Sequence, residues 1–124
     1  MPAPKQILVF AEDPNVRHTK QLILEAIGFS VVAVGSVREI EYVSNKAVFD
    51  LAILGRTVSD PHKHQAASIL RVKQKDVPIL EICNVSPCIA NPDYVLHSPN
   101  PEDLAELVRV ILTGGERRIA DVGD

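Results

Sequence analysis

Short apolar segments alternate with longer amphipathic segments along the chain. Five of the apolar segments have the length and the β-branched composition of strands, and we predict strands at residues 6–10, 31–34, 51–54, 78–82 and 94–96. The third segment is apolar at every position, which is typical of a parallel strand covered on both faces. Helical patterns fill the intervals, and we predict helices at about residues 14–27, 36–46, 62–75 and 101–113.

Helix boundaries are marked by capping residues and by apolar stripes. Asp13 precedes Pro14 and is a candidate N-cap, while Gly28 is a natural stop for the first helix. Ser36 and Glu39 fit a capping box, and Asn100-Pro101 opens the last helix. The predicted buried stripes are Ala66, Ile69, Leu70 and Lys73 on the third helix and Leu104, Leu107, Val108 and Ile111 on the last.

Five strands that alternate with helices predict an α/β fold with right-handed crossovers. We predict a single doubly wound, five-stranded parallel sheet of flavodoxin-like order 2-1-3-4-5, with helices on both faces. Residues 1–115 should form this domain, and residues 116–124 should be a flexible tail or the start of a linker. The crevice at a sheet of this order lies between strands one and three, at the carboxyl end where Gly55 follows the third strand.

Composition narrows the function classes. The chain has 124 residues, 46% of them hydrophobic, and a formal net charge of -3. A slightly acidic chain without a basic run is a poor candidate for nucleic-acid binding. The apolar runs have only strand length, so we predict no membrane span and a cytoplasmic location. Two cysteines in a reducing compartment favour free thiols.

With the elements placed, the chain resembles the CheY-like receiver domain of two-component response regulators. The resemblance extends from Lys5 to about Thr113, and it depends on the order and spacing of several stretches together. These stretches are Ile7-Leu8-Val9-Phe10-Ala11-Glu12-Asp13-Pro14-Asn15-Val16-Arg17, Gly28-Phe29, Phe49-Asp50-Leu51-Ala52-Ile53-Leu54, Asp93-Tyr94-Val95-Leu96 and Pro101-Glu102-Asp103-Leu104.

The resemblance implies a phosphorylation site that this chain does not complete. Receivers use an acidic pair that holds magnesium, an aspartate that accepts the phosphoryl group, a Ser or Thr hydroxyl, and a lysine. The corresponding residues here are Ala11, Glu12, Gly55, Cys83 and His97. Only one of the five groups keeps its type, so we expect a degenerate pseudo-receiver that is not phosphorylated on aspartate. Glu12 and Asp13 remain weak candidates for a cation, because magnesium sites need several oxygen ligands.

The segment between strands four and five is too short for the helix that receivers place there. Only residues 84–92 separate Cys83 from Asp93, and they include Pro87 and Pro92. We expect the fourth helix of the family to be shortened or lost, and the partner-binding face beside it to be rebuilt. Tyr94 matches the family's aromatic switch position; it is interpreted first as a ring packed at the sheet edge and second as a partner contact.

Three other groups of residues are candidates for a reactive or ligand-binding site. Cys83 beside His97 could form an activated thiolate, although a buried small residue is the simpler interpretation, and Cys88 could pair with Cys83 on oxidation. The segment 62–64, His-Lys-His, is interpreted as a solvated loop rather than a metal site. Arg56 is interpreted as a surface side chain, with anion binding as the alternative.

The sequence therefore predicts a non-catalytic receiver-like domain in bacterial-type two-component signal transduction. It should act through a protein partner of unknown identity, without a cofactor, and a homodimer is left open. The alternative is a small thiol- and imidazole-based sensor or enzyme that uses Cys83 and His97. A third interpretation is a receiver segment of a longer regulator.

Overall fold

The computed structural model describes residues 4–98 and 100–113. Within them the chain forms five strands and four helices, which alternate except between the last two strands. In chain order they are β1 (Gln6–Phe10), α1 (Pro14–Ala26), β2 (Ser30–Val34), α2 (Val37–Ser44), β3 (Leu51–Leu54), α3 (Asp60–Lys73), β4 (Ile79–Ile82), β5 (Tyr94–Leu96) and α4 (Pro101–Leu112). None of the helices in this part of the chain is long and apolar enough to cross a lipid bilayer.

All strand pairs in the sheet are parallel, and the strand order is β2-β1-β3-β4-β5. This confirms the predicted fold class and strand order. The central strands β3 and β4 are buried at every residue, whereas the edge strand β5 is half-buried throughout. The apolar composition of β3 thus reflects its position between β1 and β4, with helices on both faces.

Alternate residues of the strands build two cores, one on each face of the sheet. The first core contains Leu8, Phe10 and Leu54 from the strands, with residues of α2 and α3 packed against them. The second contains Ile7, Val9 and Ile53, together with residues of α1 and α4. The predicted stripe of the last helix is confirmed: Leu104 and Val108 are buried in the second core, with Leu107 and Ile111 packed at its edge.

Local capping accounts for where α1 begins and ends. The Asp13 carboxylate accepts hydrogen bonds from the backbone N–H groups of Asn15 (2.8 Å) and Val16 (3.3 Å), as predicted. At the other end, Gly28 has a φ of +105°, a value that residues with a Cβ rarely adopt. Its N–H donates to the Glu25 carbonyl and the next N–H donates to the Leu24 carbonyl, which is the Schellman pattern.

The other two predicted caps are only partly as expected. The Ser36 hydroxyl accepts from the Glu39 N–H (3.2 Å), but the Glu39 carboxylate accepts from the N–H of Gly35 (2.6 Å), one residue before the expected donor. Asn100 occupies the N-cap position of α4, yet its side chain makes no capping hydrogen bond.

Helix α3 differs from its prediction in position and in orientation. It begins at Asp60, two residues early, because Pro61 suits the first turn and Asp60 complements the helix dipole. Its buried face consists of Lys63, Ala66, Ala67 and Leu70. Lys73, which was predicted in the buried stripe, is exposed and donates to the Asn45 side chain (3.1 Å). The helix is therefore rotated relative to the prediction.

No helix connects β4 to β5, as the two prolines predicted. Residues 83–93 form bends and irregular backbone, and Asn91 adopts a φ of +52°, which asparagine tolerates better than most residues. The predicted tail at residues 116–124 and the predicted boundary at residue 115 lie outside the described residues.

The two N-cap residues provide a matched pair of variants. Asp13→Ala should lower the free energy of unfolding by about 1 kcal/mol, because it removes the acceptor for two N–H groups. Asn100→Ala should cost only a few tenths of a kcal/mol, since that side chain makes no capping bond. Urea unfolding followed by circular dichroism measures both values. Equal losses in the two variants would contradict the assignment of the caps.

Candidate functional site

Gly55 lies at the carboxyl end of β3, beside the end of β1. Its N–H donates to the Phe10 carbonyl (2.8 Å). A Cβ at this position would lie 3.0 Å from that carbonyl oxygen and 3.4 Å from the Ala11 Cβ. A side chain at position 55 would therefore begin in tight contact with the end of β1, and the adjoining residue Ala11 is fully buried and offers only a methyl group.

The two candidate cation ligands, Glu12 and Asp13, are both engaged elsewhere. The Glu12 carboxylate accepts from the Ser59 N–H (3.2 Å) and contacts Nδ1 of His62. It thus connects the end of β1 to the start of α3. Asp13 is occupied with capping α1. Within residues 4–98 and 100–113, no cluster of three His, Cys, Asp or Glu side chains could hold a metal ion.

Cys83 and His97 follow the neighbouring strands β4 and β5, but their side chains differ in solvent exposure. The Cys83 N–H donates to the carbonyl of Leu96, the residue before His97 (3.0 Å). Cys83 is buried, whereas the His97 side chain is exposed. Burial, and then the negative charge of Glu81, raises the pKa of the Cys83 thiol above its usual value. An activated thiolate would need the opposite shift.

Cys88 is also free, and the pKa of its thiol is raised as well. Burial, a hydrogen bond to Glu81 and the charge of that carboxylate together raise the pKa of its thiol to about 11. Both thiols are therefore protonated near neutral pH, and neither is poised as a nucleophile.

Tyr94 is half-buried on the edge strand β5 and packs against the second core. This location agrees with the first interpretation of the residue, a ring packed at the sheet edge. Ile89, a buried residue of the preceding loop, belongs to the first core, on the other face of the sheet.

A buried ion pair between α3 and β4 is the main polar feature of this end of the molecule. Lys63 is 3% exposed and Glu81 is 0% exposed, and Lys63 Nζ lies 3.0 Å from Glu81 Oε2. The ammonium group also donates to the Ile82 carbonyl (2.9 Å). The carboxylate accepts in turn from the N–H groups of Cys88 (3.0 Å) and Ile89 (3.3 Å). One carboxylate thus joins a strand, a helix and the following loop.

The pKa of the Glu81 carboxyl group reflects opposing causes. Burial by itself would raise the pKa, because it disfavours the charged form. Hydrogen bonds from the Cys88 N–H, the Lys63 ammonium and the Ile89 N–H, together with the positive charge of Lys63, outweigh burial and lower it. Glu81 is therefore ionised at neutral pH although no part of it reaches solvent.

Helix α3 holds the loop at two further points. His64 Nε2 lies 2.6 Å from the Cys88 carbonyl, so this nitrogen must be the donor. The Arg71 guanidinium donates to the carbonyls of Ala90 (2.7 Å) and Asn91 (2.9 Å). The loop between β4 and β5 is thereby fixed to α3 directly by His64 and Arg71, and through Glu81 by Lys63.

The sequence interpretation of residues 62–64 as a solvated loop was wrong. All three residues belong to α3, and each has a different partner: Glu12 for His62, Glu81 for Lys63 and the Cys88 carbonyl for His64. Two features of the sequence could have predicted the ion pair. A lone glutamate in an otherwise apolar central strand requires a partner, and Lys63 stands at helical spacing from Ala66 and Leu70.

Comparison with known proteins gives structural relatives only. No protein-family model and no curated protein sequence matches the chain. Among solved structures, chemotaxis protein CheY4 from Vibrio cholerae is similar over 88% of this chain and 99% of its own, with a TM-score of 0.76 and 20% identity.

Two other solved structures with a similar fold come from a histidine kinase and from a response regulator. A signal receiver domain of a histidine kinase from Syntrophus aciditrophicus matches with a TM-score of 0.74 and 20% identity, over 91% of this chain and 93% of its own. The Thermotoga maritima response regulator TrrA, solved in complex with the histidine kinase ThkA, matches with a TM-score of 0.71 and 24% identity, over 87% and 98%. The chain thus has the fold of receiver domains.

Removal of the buried Lys63 ammonium group should destabilise the fold. Lys63→Met should lower the free energy of unfolding at neutral pH by about 3–5 kcal/mol, because it leaves the Glu81 carboxylate buried without its counter-charge. Urea unfolding measures the loss. Lys75→Met, at an exposed lysine just past α3, is the matched control and should change stability by less than about 0.5 kcal/mol. A Lys63→Met variant as stable as this control would contradict a structural role for the pair.

Acid should weaken the fold through Glu81. Because its pKa is lower in the folded chain than its ordinary value of 4.5, the unfolded chain binds more protons as the pH falls. The stabilisation by the Glu81 carboxylate is complete at pH values above its ordinary pKa. It is lost as the pH falls through the lower pKa that Glu81 has in the folded chain. Unfolding free energies measured from pH 6 downward should fall less steeply in Glu81→Gln than in the unsubstituted chain. Glu41→Gln, at an exposed position of α2, should keep the original slope; equal slopes in all three proteins would refute the assignment.

Proposed function

We propose that the chain is a receiver-like signalling domain that acts through protein–protein contacts and without aspartyl phosphorylation. The observation that carries the proposal is Gly55. It stands at the carboxyl end of β3, has no carboxylate, and has the Phe10 carbonyl within 3.0 Å of the point where a Cβ would begin. Phosphoryl transfer to this position has no acceptor.

The other residues of the pocket support the same proposal. Ala11 supplies no oxygen ligand, and the Glu12 carboxylate is directed to Ser59 and His62 of the neighbouring helix start. His97 places an exposed imidazole at the position where receivers carry a lysine ammonium. Metal binding, acceptance of the phosphoryl group and charge neutralisation are thus weakened together, which suits a domain whose output does not depend on phosphate.

The partner surface that we propose is the rebuilt face beside β5. The loop of residues 83–93 replaces a helix there, Tyr94 follows it on β5 and is half-buried, and Val85 is 83% exposed. Since TrrA, a structural relative, was solved in complex with a histidine kinase, a protein of a two-component pathway is the partner class that we favour. A second copy of the chain remains an alternative partner on the same face.

The cellular setting follows from the same fold-level likeness. We propose a cytoplasmic role in bacterial-type signal transduction, with residues 1–115 as the folded unit and no catalytic residue or cofactor. The rival function, a thiol and imidazole site, finds no support in the geometry, because Cys83 is buried with a raised pKa and His97 is exposed.

Phosphorylation assays test the proposal directly. Incubation with acetyl phosphate and magnesium should leave the intact mass unchanged, while a receiver domain that has all five groups gains one phosphoryl group in parallel. Gly55→Asp should also remain unmodified, because Ala11 and His97 leave the metal site and the counter-charge incomplete and the β1 backbone crowds the new side chain.

Two results would contradict the proposal. One is a stoichiometric phosphoryl adduct on the unsubstituted chain. The other is a broad change in the amide spectrum around Gly55 on addition of fluoroberyllate and magnesium.

A further inference from the structure

A cavity lies at the amino ends of β3 and β4, at the opposite end of the sheet from Gly55. It has a volume of about 820 Å³, which is within the range of small-molecule sites. Two connections form its wall, one from the end of α2 to β3 and the other from the end of α3 to β4. The lining residues are 44–50 and 73–78. None of them belongs to the degenerate phosphorylation site, so the cavity has a chemistry of its own.

Two polar side chains in the cavity wall are buried, and the fold satisfies only one of them. Gln74 is 8% exposed, and its amide oxygen accepts from the Phe49 N–H (3.0 Å). The amide nitrogen of Gln74 donates to the carbonyls of Ser44 (3.1 Å) and Ala47 (2.7 Å). Ser44 is 7% exposed, yet among the described residues its hydroxyl has no hydrogen-bond partner. Buried hydroxyl groups are normally paired, so this one requires a partner that the fold does not supply.

An ammonium group is held close to Ser44. Lys73 is the last residue of α3, and its Nζ donates to Oδ1 of Asn45, the residue that follows Ser44 (3.1 Å). In the described part of the chain this is the one hydrogen bond of the Lys73 side chain, which leaves two of its three N–H donors. A hydroxyl group and a cation with free donors thus lie at the same end of α2.

The lysines of the cavity outnumber its carboxylates. Its charged lining residues are Lys46, Lys73, Lys75, Asp50 and Asp76. Within residues 4–98 and 100–113 none of the three lysines forms an ion pair. Asp50 already accepts from the Gln6 N–H at the start of β1 (2.8 Å), and Asp76 is exposed, so solvent screens its charge. The cavity therefore favours an anionic group.

Apolar side chains form the rest of the lining. Phe49 is buried in the first core, and Ala47 and Val77 pack against that core from the cavity side. Val48 is 80% exposed, and Pro78 is half-buried. Apolar surface of this kind gains free energy when a ligand removes it from water. A ligand that matches the whole lining has an apolar body and one anionic group.

We propose that this cavity binds a small amphipathic carboxylate, reversibly and without a covalent step. The ligand carboxylate would accept from the Lys73 ammonium and from the Ser44 hydroxyl, because hydrogen bonds to a charged group are the stronger ones. The apolar body of the ligand would cover Val48 and Val77. This inference goes beyond the proposed function and does not depend on it, since the cavity shares no residue with the site around Gly55.

Amide NMR spectra of the full chain test the site. Sodium phenylacetate is titrated at pH 7 and constant ionic strength, with sodium chloride as the compensating salt. We expect saturable shifts at the amides of Asn45, Val48 and Gln74, with a millimolar dissociation constant. Phenethylamine, which has the same ring and a positive charge, should give no saturable shifts at these amides. Lys73→Gln should weaken phenylacetate binding about tenfold, because it removes a charge-assisted hydrogen bond.

Ser44→Ala separates a ligand-binding role from a structural one. Because the hydroxyl has no partner in the fold, its removal should leave the urea midpoint unchanged or raise it. The same variant should bind phenylacetate several-fold more weakly. A lowered midpoint would show that the fold itself uses the hydroxyl, and it would overturn the proposal, as would unchanged binding of phenylacetate.

The matched control is Arg38→Gln, which removes the same charge as Lys73→Gln from an exposed position of α2. It should bind phenylacetate like the unsubstituted chain. Shifts that are absent, that grow linearly with phenylacetate or that phenethylamine reproduces would overturn the proposal. Equal affinities of Lys73→Gln and Arg38→Gln would overturn it as well, because binding would then depend only on net charge.

Discussion

The Glu81 carboxylate is the group on which this end of the molecule depends. The chain lacks a helix between β4 and β5, so a loop must cover the first core there, and Ile89, 5% exposed, packs into it. Burying a loop also buries its N–H groups, and an unsatisfied N–H group is costly. Glu81 accepts from two of them, and these N–H groups together with Lys63, buried beside it, keep its carboxylate charged. The loss of the helix, the loop conformation and the buried lysine are thus one connected arrangement.

The buried pair of Lys63 and Glu81 selects one conformation of the loop, and its contribution to the free energy of folding is the smaller effect. A buried ion pair loses hydration on both sides, and its net contribution to folding is often small. Its geometry is nevertheless demanding, because Glu81 must meet an ammonium and two N–H groups at once. Arg71 and His64 add hydrogen bonds from α3 to carbonyl groups of the loop. The loop between β4 and β5 is therefore held by several directional contacts.

Sequence patterns predicted the fold well because they report on periodicity and on local caps. The apolar run that became β3, the Asp13 cap and the Gly28 stop depend on near neighbours, and each was located correctly. The position of Gly55 against β1 also follows from strand order. Patterns failed where a residue's role depends on a distant partner. Lys63 reads as solvated beside two histidines, and only the packing of α3 on β4 shows that Glu81 needs it.

Hydrogen exchange at the loop amides tests the central claim most directly, because it examines the bonds of Glu81 without any substitution. The Cys88 and Ile89 amides donate to the buried carboxylate, whereas the Val85 residue in the same loop is 83% exposed. We predict that the Cys88 and Ile89 amides exchange far more slowly than the Val85 amide, at rates approaching those of the neighbouring strand β4. Exchange of all three amides at the same fast rate would show that the loop is not held by Glu81 and would contradict the account.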